Sequence, residues 1–289
     1  MDRKKSRWYL ALSLFGCLSA HAAGPVWAIH GAHNTVYLAG SVHALPENDS
    51  ALPAAFDRAY HDSTRLVMEI DLAKLDPAEA GGWMAEHGIL PAGTHLRGLV
   101  GEQTYARLTA AAGQLGLPMV ALDHQAPWLV GIELSEHAYE NAGFSAEQGV
   151  EEQLLTRVQT DGKATAGLET VSEQLAGLAQ LSREDQVRML EQSMDDLKDL
   201  QGEMKDILVA WRRGDANQMA ALLSSEYAAF PALYGPLVTV RNERWLPQIE
   251  ALLKGSDNVM VVVGALHLVG KGGLLELLRK DGYTATQLN

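Results

Sequence analysis

Two short segments near opposite ends of the chain share one pattern. Val36-Tyr37-Leu38-Ala39-Gly40-Ser41-Val42-His43 and Val261-Val262-Val263-Gly264-Ala265-Leu266-His267 each run through strand-forming residues into Gly-x-x-His and then a helical pattern. An imidazole near neutral pH can hold a metal ion or move a proton. The glycine permits a sharp exit from a sheet. The histidine then falls in a strand-to-helix loop, where open α/β sheets bind ligands. One such histidine says little, but two at equivalent positions point to a shared site.

Carboxylates at the ends of other predicted strands extend the set. Glu69 interrupts Val67-Met68-Glu69-Ile70-Asp71 with a charge, and Glu169 follows Gly167-Leu168. Asp123 and His124 follow the apolar stretch Met119 to Leu122. A strand buried on both faces is expected to be continuously apolar, so a carboxylate there needs a partner or a metal. For Glu69 an ion pair with a nearby arginine would serve equally. Glu169 could instead cap the helix expected to begin near Ser172 by accepting backbone N–H groups. His43, His267 and a glutamate could hold a divalent ion, with zinc, manganese and cobalt all compatible with such a shell. The ion would acidify a bound water. A histidine acting as general base without metal is the alternative. No His-Glu-x-x-His or Cys-x-x-Cys motif is present. Gly264 to Lys271 misses the spacing of a phosphate loop by one residue, with Gly272 where Ser or Thr is needed.

The elements that must carry these residues alternate strand and helix, which predicts an α/β fold, with α+β the nearest alternative. Val26 to Ile29 and Thr35 to Ala39 read as an N-terminal hairpin. Arg65 to Asp71, Met119 to Leu122, Ala164 to Leu168 and Val259 to Val263 read as further strands, and Tyr283 to Leu288 as an edge strand. The sheet is expected to be mixed and mainly parallel. A large helical insertion, about residues 172–255, would cover it within a single domain, residues 23–289.

At 289 residues the chain can bury a substantial core. Its net charge of −13 argues against nucleic acid as a partner. A peptide or a small molecule is the expected substrate. Arg3-Lys4-Lys5 and Arg7 precede an apolar run, Trp8 to Leu18, that is too short to span a bilayer. Ala20-His21-Ala22 follows. This is the layout of a signal peptide, residues 1–22, and predicts export to the periplasm with Ala23 as the mature N-terminus. No membrane association is expected otherwise. Leu14-Phe15-Gly16-Cys17 offers the alternative of a lipoprotein anchored at Cys17, the only cysteine, and an uncleaved membrane anchor is the other.

The motifs together resemble the TraB/GumN family. The matching pieces are Tyr37 to His43, Val67 to Asp71, Gly149-Val150-Glu151, Gly167-Leu168-Glu169-Thr170 with Gln174, Arg241-Asn242-Glu243-Arg244-Trp245, and Val263 to Gly270. The family often has Asp where Glu151 stands and Ala-Gly-His where Ala265-Leu266-His267 stands, departures placed outside the expected chemistry. The resemblance implies relation to the Tiki metallopeptidases and, more distantly, to erythromycin esterases and ChaN-type haem-binding proteins. It implies a metal-dependent, peptidase-like hydrolase. His43, His267 and Glu69 would be metal ligands, and Glu69, Glu169 and Arg241 catalytic residues. Arg241 would stabilise developing negative charge. Glu69, within a strand, is expected to matter more than Glu169. A haem or small-ligand binder without turnover and a metal-independent esterase are the alternatives on the same scaffold.

Overall fold

The computed structural model describes residues 24–229 and 231–289. The expected signal peptide and the lipidation alternative at Cys17 lie outside the described residues. In chain order the elements are β1 (Val26–His30), β2 (Thr35–Ser41), β3 (Leu45–Pro46), α1 (Ala54–Asp62), β4 (Arg65–Met68), α2 (Pro77–Gly88), α3 (Leu96–Leu115), α4 (Met119–Leu122) and α5 (Pro127–Asn141). Then come β5 (Phe144–Ser145), α6 (Val150–Asp161), β6 (Ala164–Gly167), α7 (Val171–Ala179), α8 (Arg183–Asp196), α9 (Leu200–Arg213), α10 (Ala216–Ala229) and α11 (Pro231–Tyr234). A π-helical turn, Gly235–Thr239, leads into α12 (Val240–Leu253), β7 (Val259–Gly264), α13 (Ala265–Leu268), α14 (Leu274–Lys280) and β8 (Ala285–Gln287).

The fold is α/β around a six-stranded mixed sheet of order β6-β4-β7-β2-β1-β8. The strands β6, β4, β7 and β2 run parallel, while β1 and β8 continue the sheet antiparallel. Val259 to Val263 are buried throughout because β7 is the central strand with a neighbour on each side. A β-branched run suits a strand covered on both faces. The register decides where the chemistry lies. Ser41 pairs with Gly264, and Met68 pairs with Gly167. Met68 also pairs with Val262, so β4 and β6 end two residues short of β2 and β7, and the next residues along each strand gather at a single edge.

Two expected elements differ. Met119–Leu122 is a single helical turn rather than a strand, so the sheet has four parallel strands and not five. Pro118 stands at the start of this turn, where its fixed φ suits a helix. Val120 is 75% exposed, which no central strand would tolerate. Asp123 and His124 are thereby removed from the sheet edge; Asp123 accepts from His95 instead, at 2.7 Å. The second strand of the parallel set also stops at Met68, leaving Glu69 just past its end rather than inside it.

The main core packs both faces of the sheet, with Phe56, Tyr60, Trp211 and Trp245 among its fully or nearly fully buried members. A second core joins α3, α5 and α8 through Leu96, Leu108, Val130, Leu134 and Leu190. Burying each such leucine contributes roughly 1.5–3 kcal/mol, enough to hold these helices as one unit. The main core fastens α9 to the first histidine segment: Trp211 of α9 donates from Nε1 to the carbonyl of Gly40 at 2.7 Å and packs its ring on Phe56.

Candidate functional site

His43 lies two residues beyond β2, on a turn that α6 meets end-on. The amide of Val150 donates to the carbonyl of Val42 at 3.2 Å. Gly149 makes this approach possible, because a Cβ there would stand 2.2 Å from the His43 carbonyl oxygen. The docking delivers Glu151, in the first turn of α6, to the imidazole. Its carboxylate lies 3.0 Å from His43 Nδ1 and also accepts the Ser41 hydroxyl. The side chain of His43 is 73% exposed, with its Nε2 left to the recess. Beside Glu151 its pKa is pushed up to about 9, so the ring is a cation at neutral pH.

Glu69 and Glu169 are locked to each other through the backbone. The amide of Glu169 donates to the carbonyl of Glu69 at 2.9 Å, continuing the β4–β6 pairing past the last strand residues. Both carboxylates then meet Arg241, from the first turn of α12. Arg241 donates from Nη2 to Glu69 Oε2 and from Nε to Glu169 Oε1 at 2.8 Å, with Nη2 also in ion-pair contact with Glu169 Oε1. Its Nη1 donates to the carbonyl of Leu237 in the π-helical turn and to His267 Nε2 at 3.1 Å. Four hydrogen bonds within the protein thus hold the guanidinium. Arg244 donates to the other oxygen of Glu169 at 2.6 Å. Glu169 does not cap the following helix; Thr170 does, in a capping box with Glu173.

His267 sits in α13, one turn past β7, almost fully buried against Trp245. Its tautomer follows from Asn242. Asn242 donates from Nδ2 to two carbonyls, those of His267 and Gly272. Its Oδ1 is thereby turned to His267 Nδ1, at 2.8 Å, so the proton belongs on Nδ1 and the lone pair on Nε2. Burial holds the His267 pKa down to about 4, so it is neutral in the physiological range. Burial would raise Glu69, but the positive field of His267, Arg241 and His43, with the amide of Gly264 at 2.7 Å, holds it at about 2. Because His267 carries charge only in acid, Arg241 and His43 supply that field near neutrality. Burial pushes Glu169 up, against the pull of Arg241 and Arg244.

The structure brings His43, Glu69, Glu169, Arg241 and His267 together at one edge of the sheet. Three of them surround a gap at Gly264. An ideal Cβ on that residue would stand 3.4 Å from Glu69 Oε1, 3.6 Å from His267 Cδ2 and 3.8 Å from His43 Nε2. The gap opens on two recesses, one of about 210 Å³ toward Glu151 and Glu152 and one of about 520 Å³ under the helices. Each imidazole has its δ-nitrogen anchored on an oxygen, as outer partners anchor metal-ligating histidines; the ε-nitrogen of His43 faces the gap, whereas that of His267 is taken by Arg241. In kind the donors suit a divalent ion. Among the described residues, however, no three His, Cys, Asp or Glu side chains stand close enough together to hold one as placed. His267 Nε2 and Glu69 Oε1 are 3.9 Å apart, and Arg241 occupies the lone pair of His267.

The profile of the TraB/PrgY/gumN family matches residues 25–287. The chain belongs to this family. It is also similar to the uncharacterized protein YbaP of Escherichia coli (strain K12), 24% identical over 243 residues, which cover 84% of this chain and 87% of that protein. The uncharacterized protein YbaP of Shigella flexneri matches to the same extent. No solved structure matches significantly.

Four participants were not expected from sequence. Glu151, Ser41 and Asn242 orient the two imidazoles, and Gln174 of α7 donates to Glu69 Oε2 at 3.1 Å. Glu151, Gln174 and Asn242 all lie in the motif segments that carry the family resemblance, which is the one signal that could have found them. Glu151 had been placed outside the chemistry, whereas it is the direct partner of His43. The glycines of the two Gly-x-x-His segments also act otherwise than expected. Neither has a positive φ; Gly40 allows α13 to approach, and Gly264 leaves the gap between the three donors.

Proposed function

We propose that this chain is an exported, periplasmic hydrolase of peptide or amide bonds that works with a divalent ion at the His43–Glu69–His267 corner. Its family membership and the layout of residues 1–22 support the class and the export. The observation that carries the reading is that two imidazoles, each anchored at its δ-nitrogen, border one gap beside a carboxylate. When bound, the ion would polarise the scissile carbonyl and supply an activated water. Glu69, held near pKa 2, is too weakly basic to take protons efficiently near neutrality and suits a ligand better than a base. Glu169 has both oxygens on arginines and serves to place Arg241. Arg241 holds both carboxylates in position, and with four hydrogen bonds spent within the protein it is a positioning residue here rather than the oxyanion clamp. His43 must lose its proton to ligate, so binding the ion releases one proton at neutral pH.

The contact between Arg241 and His267 favours a second reading, a hydrolase without metal. There the Ser41–Glu151–His43 chain orients an imidazolium that donates from Nε2 to the leaving group.

Metal analysis of the purified mature protein, followed by hydrolysis of a broad peptide mixture with and without chelator, tests the proposal. Stoichiometric metal is expected, with turnover lost to chelator and restored by zinc, manganese or cobalt. Turnover indifferent to chelator would replace the first reading with the second. A Soret band without turnover would move the protein to the haem binders.

A further inference from the structure

The walls of the larger recess change character from one part to another. Its far side is built from Ile132 of α5, Leu175 and Leu178 of α7, Met204 and Ile207 of α9 and Leu222 of α10. The imidazole, carboxylate and guanidinium groups that line it are those of His43, Glu69, Arg241 and His267, all from the Gly264 corner. Arg241 is turned to the protein, with four hydrogen bonds to Glu69, Glu169, Leu237 and His267. The chamber holds about 520 Å³, within the roughly 300–1,000 Å³ of pockets that enclose small organic ligands. A concave apolar wall of this extent, left open beside a catalytic corner, is a surface that binding would cover.

We infer that this chamber is the specificity pocket of the enzyme and takes a bulky, uncharged apolar group adjoining the scissile bond. The inference rests on the hydrolase reading and adds the substrate class to it. Water adds across the amide, the acyl–nitrogen bond breaks, and a carboxylate and an amine leave. The apolar group stays in the chamber while the bond lies at the histidines. A charged group there would lose its hydration and find no partner. Four helices supply the walls, and Met204 is unbranched and adaptable, so the pocket tolerates several apolar shapes. Apolar pockets discriminate roughly 10–200-fold per methylene and reject charges more strongly.

The test uses the mature chain and matched amide substrates that differ in one residue beside the scissile bond: Leu, Phe or Met against Asp or Lys. The apolar series is expected to exceed the charged pair by at least ~100-fold in kcat/KM. Met204→Glu should lower kcat/KM for the leucine substrate ~10-fold or more, mainly through KM, and raise it for the lysine substrate. A variant damaged only in its fold would lose both. Turnover that treats apolar and charged substrates within about threefold, or Met204→Glu with an unchanged preference, overturns the inference. A separate readout needs no turnover. The neutral dye N-phenyl-1-naphthylamine should bind the native chain and not Met204→Glu, and apolar amides should displace it. Dye binding of this kind with no turnover of any amide would leave the pocket in place and overturn the hydrolase reading; absence of dye binding in an active enzyme would overturn the pocket.

Discussion

Arg241 makes four hydrogen bonds within the protein, and that makes it the residue on which the site's electrostatics turn. It is buried between two glutamates that would otherwise be isolated charges. Arg241→Gln should therefore destabilise the chain by about 3–5 kcal/mol, the usual consequence of stranding one side of a buried pair. Urea unfolding measures this; an unchanged midpoint with a raised KM would assign Arg241 to substrate instead. The histidines make a second prediction, in pH. His267 has a folded pKa of about 4, below its ordinary 6.5, so the unfolded chain takes the proton first and stability falls as pH drops from 6.5 to 4. Glu69, at about 2 against an ordinary 4.5, adds a further loss between pH 4.5 and 2. His43 has the opposite sign. Its folded pKa of about 9 stabilises the fold below 6.5, and that contribution disappears as pH rises through 9, with a small amplitude because the ring is exposed. Unfolding midpoints across pH should peak near 6.5. His267→Gln should flatten the slope between 4 and 6.5, and Glu151→Gln the alkaline slope.

At the scale of elements, the two Gly-x-x-His turns look alike in sequence yet use their glycines differently. A Cβ on Gly40 would stand 3.2 Å from Ala265 Cα and 3.3 Å from both Ala265 Cβ and Leu268 Cδ1, a tight fit between β2 and α13. Gly40→Ala should cost roughly 1–3 kcal/mol, as overpacking does. A Cβ on Gly264 would meet only ordinary contacts, and its backbone, φ −49° and ψ 138°, suits alanine. Gly264→Ala should keep the melting temperature while filling the space between the three donors, and bound metal and turnover should fall together by at least ~10-fold. Intact turnover in a folded Gly264→Ala chain would show that the gap has no part in the reaction. The strand β7 could be read from sequence because a β-branched run ending in glycine marks it locally. Met119–Leu122 misled because four apolar residues after a proline fit a buried strand and one helical turn equally well; the exposure of Val120 decides, and exposure is a tertiary fact. Glu151 was invisible in its role for the same reason. It meets His43 only because α6 docks on a turn more than a hundred residues earlier.

For the whole molecule, the alternation of strand and helix was enough to indicate an α/β sheet and a helical stretch laid against it. The order of the strands was not, since it depends on which distant segments pair. Gly24 packs on Pro53 and Ala55, so a cut after Ala22 would leave every residue of that contact in the mature chain. The intact mass of the exported protein should correspond to a start at Ala23. A diacylated Cys17 at the N-terminus would instead place the protein on a membrane. The sheet order also has a consequence for how the protein is made. The central strand β7 joins β2 to β4, yet it pairs with β2 across about 220 residues of intervening chain. A ribosome adding roughly 5–20 residues per second would leave the first histidine segment without its neighbour for roughly 10–45 s. During that interval β2 has β1 on one side and an open edge on the other, and the two imidazoles cannot yet meet. A nascent chain shorter than about 260 residues thus lacks the corner where the two histidines meet, and a chain crossing a membrane in extended form would first acquire it on the far side.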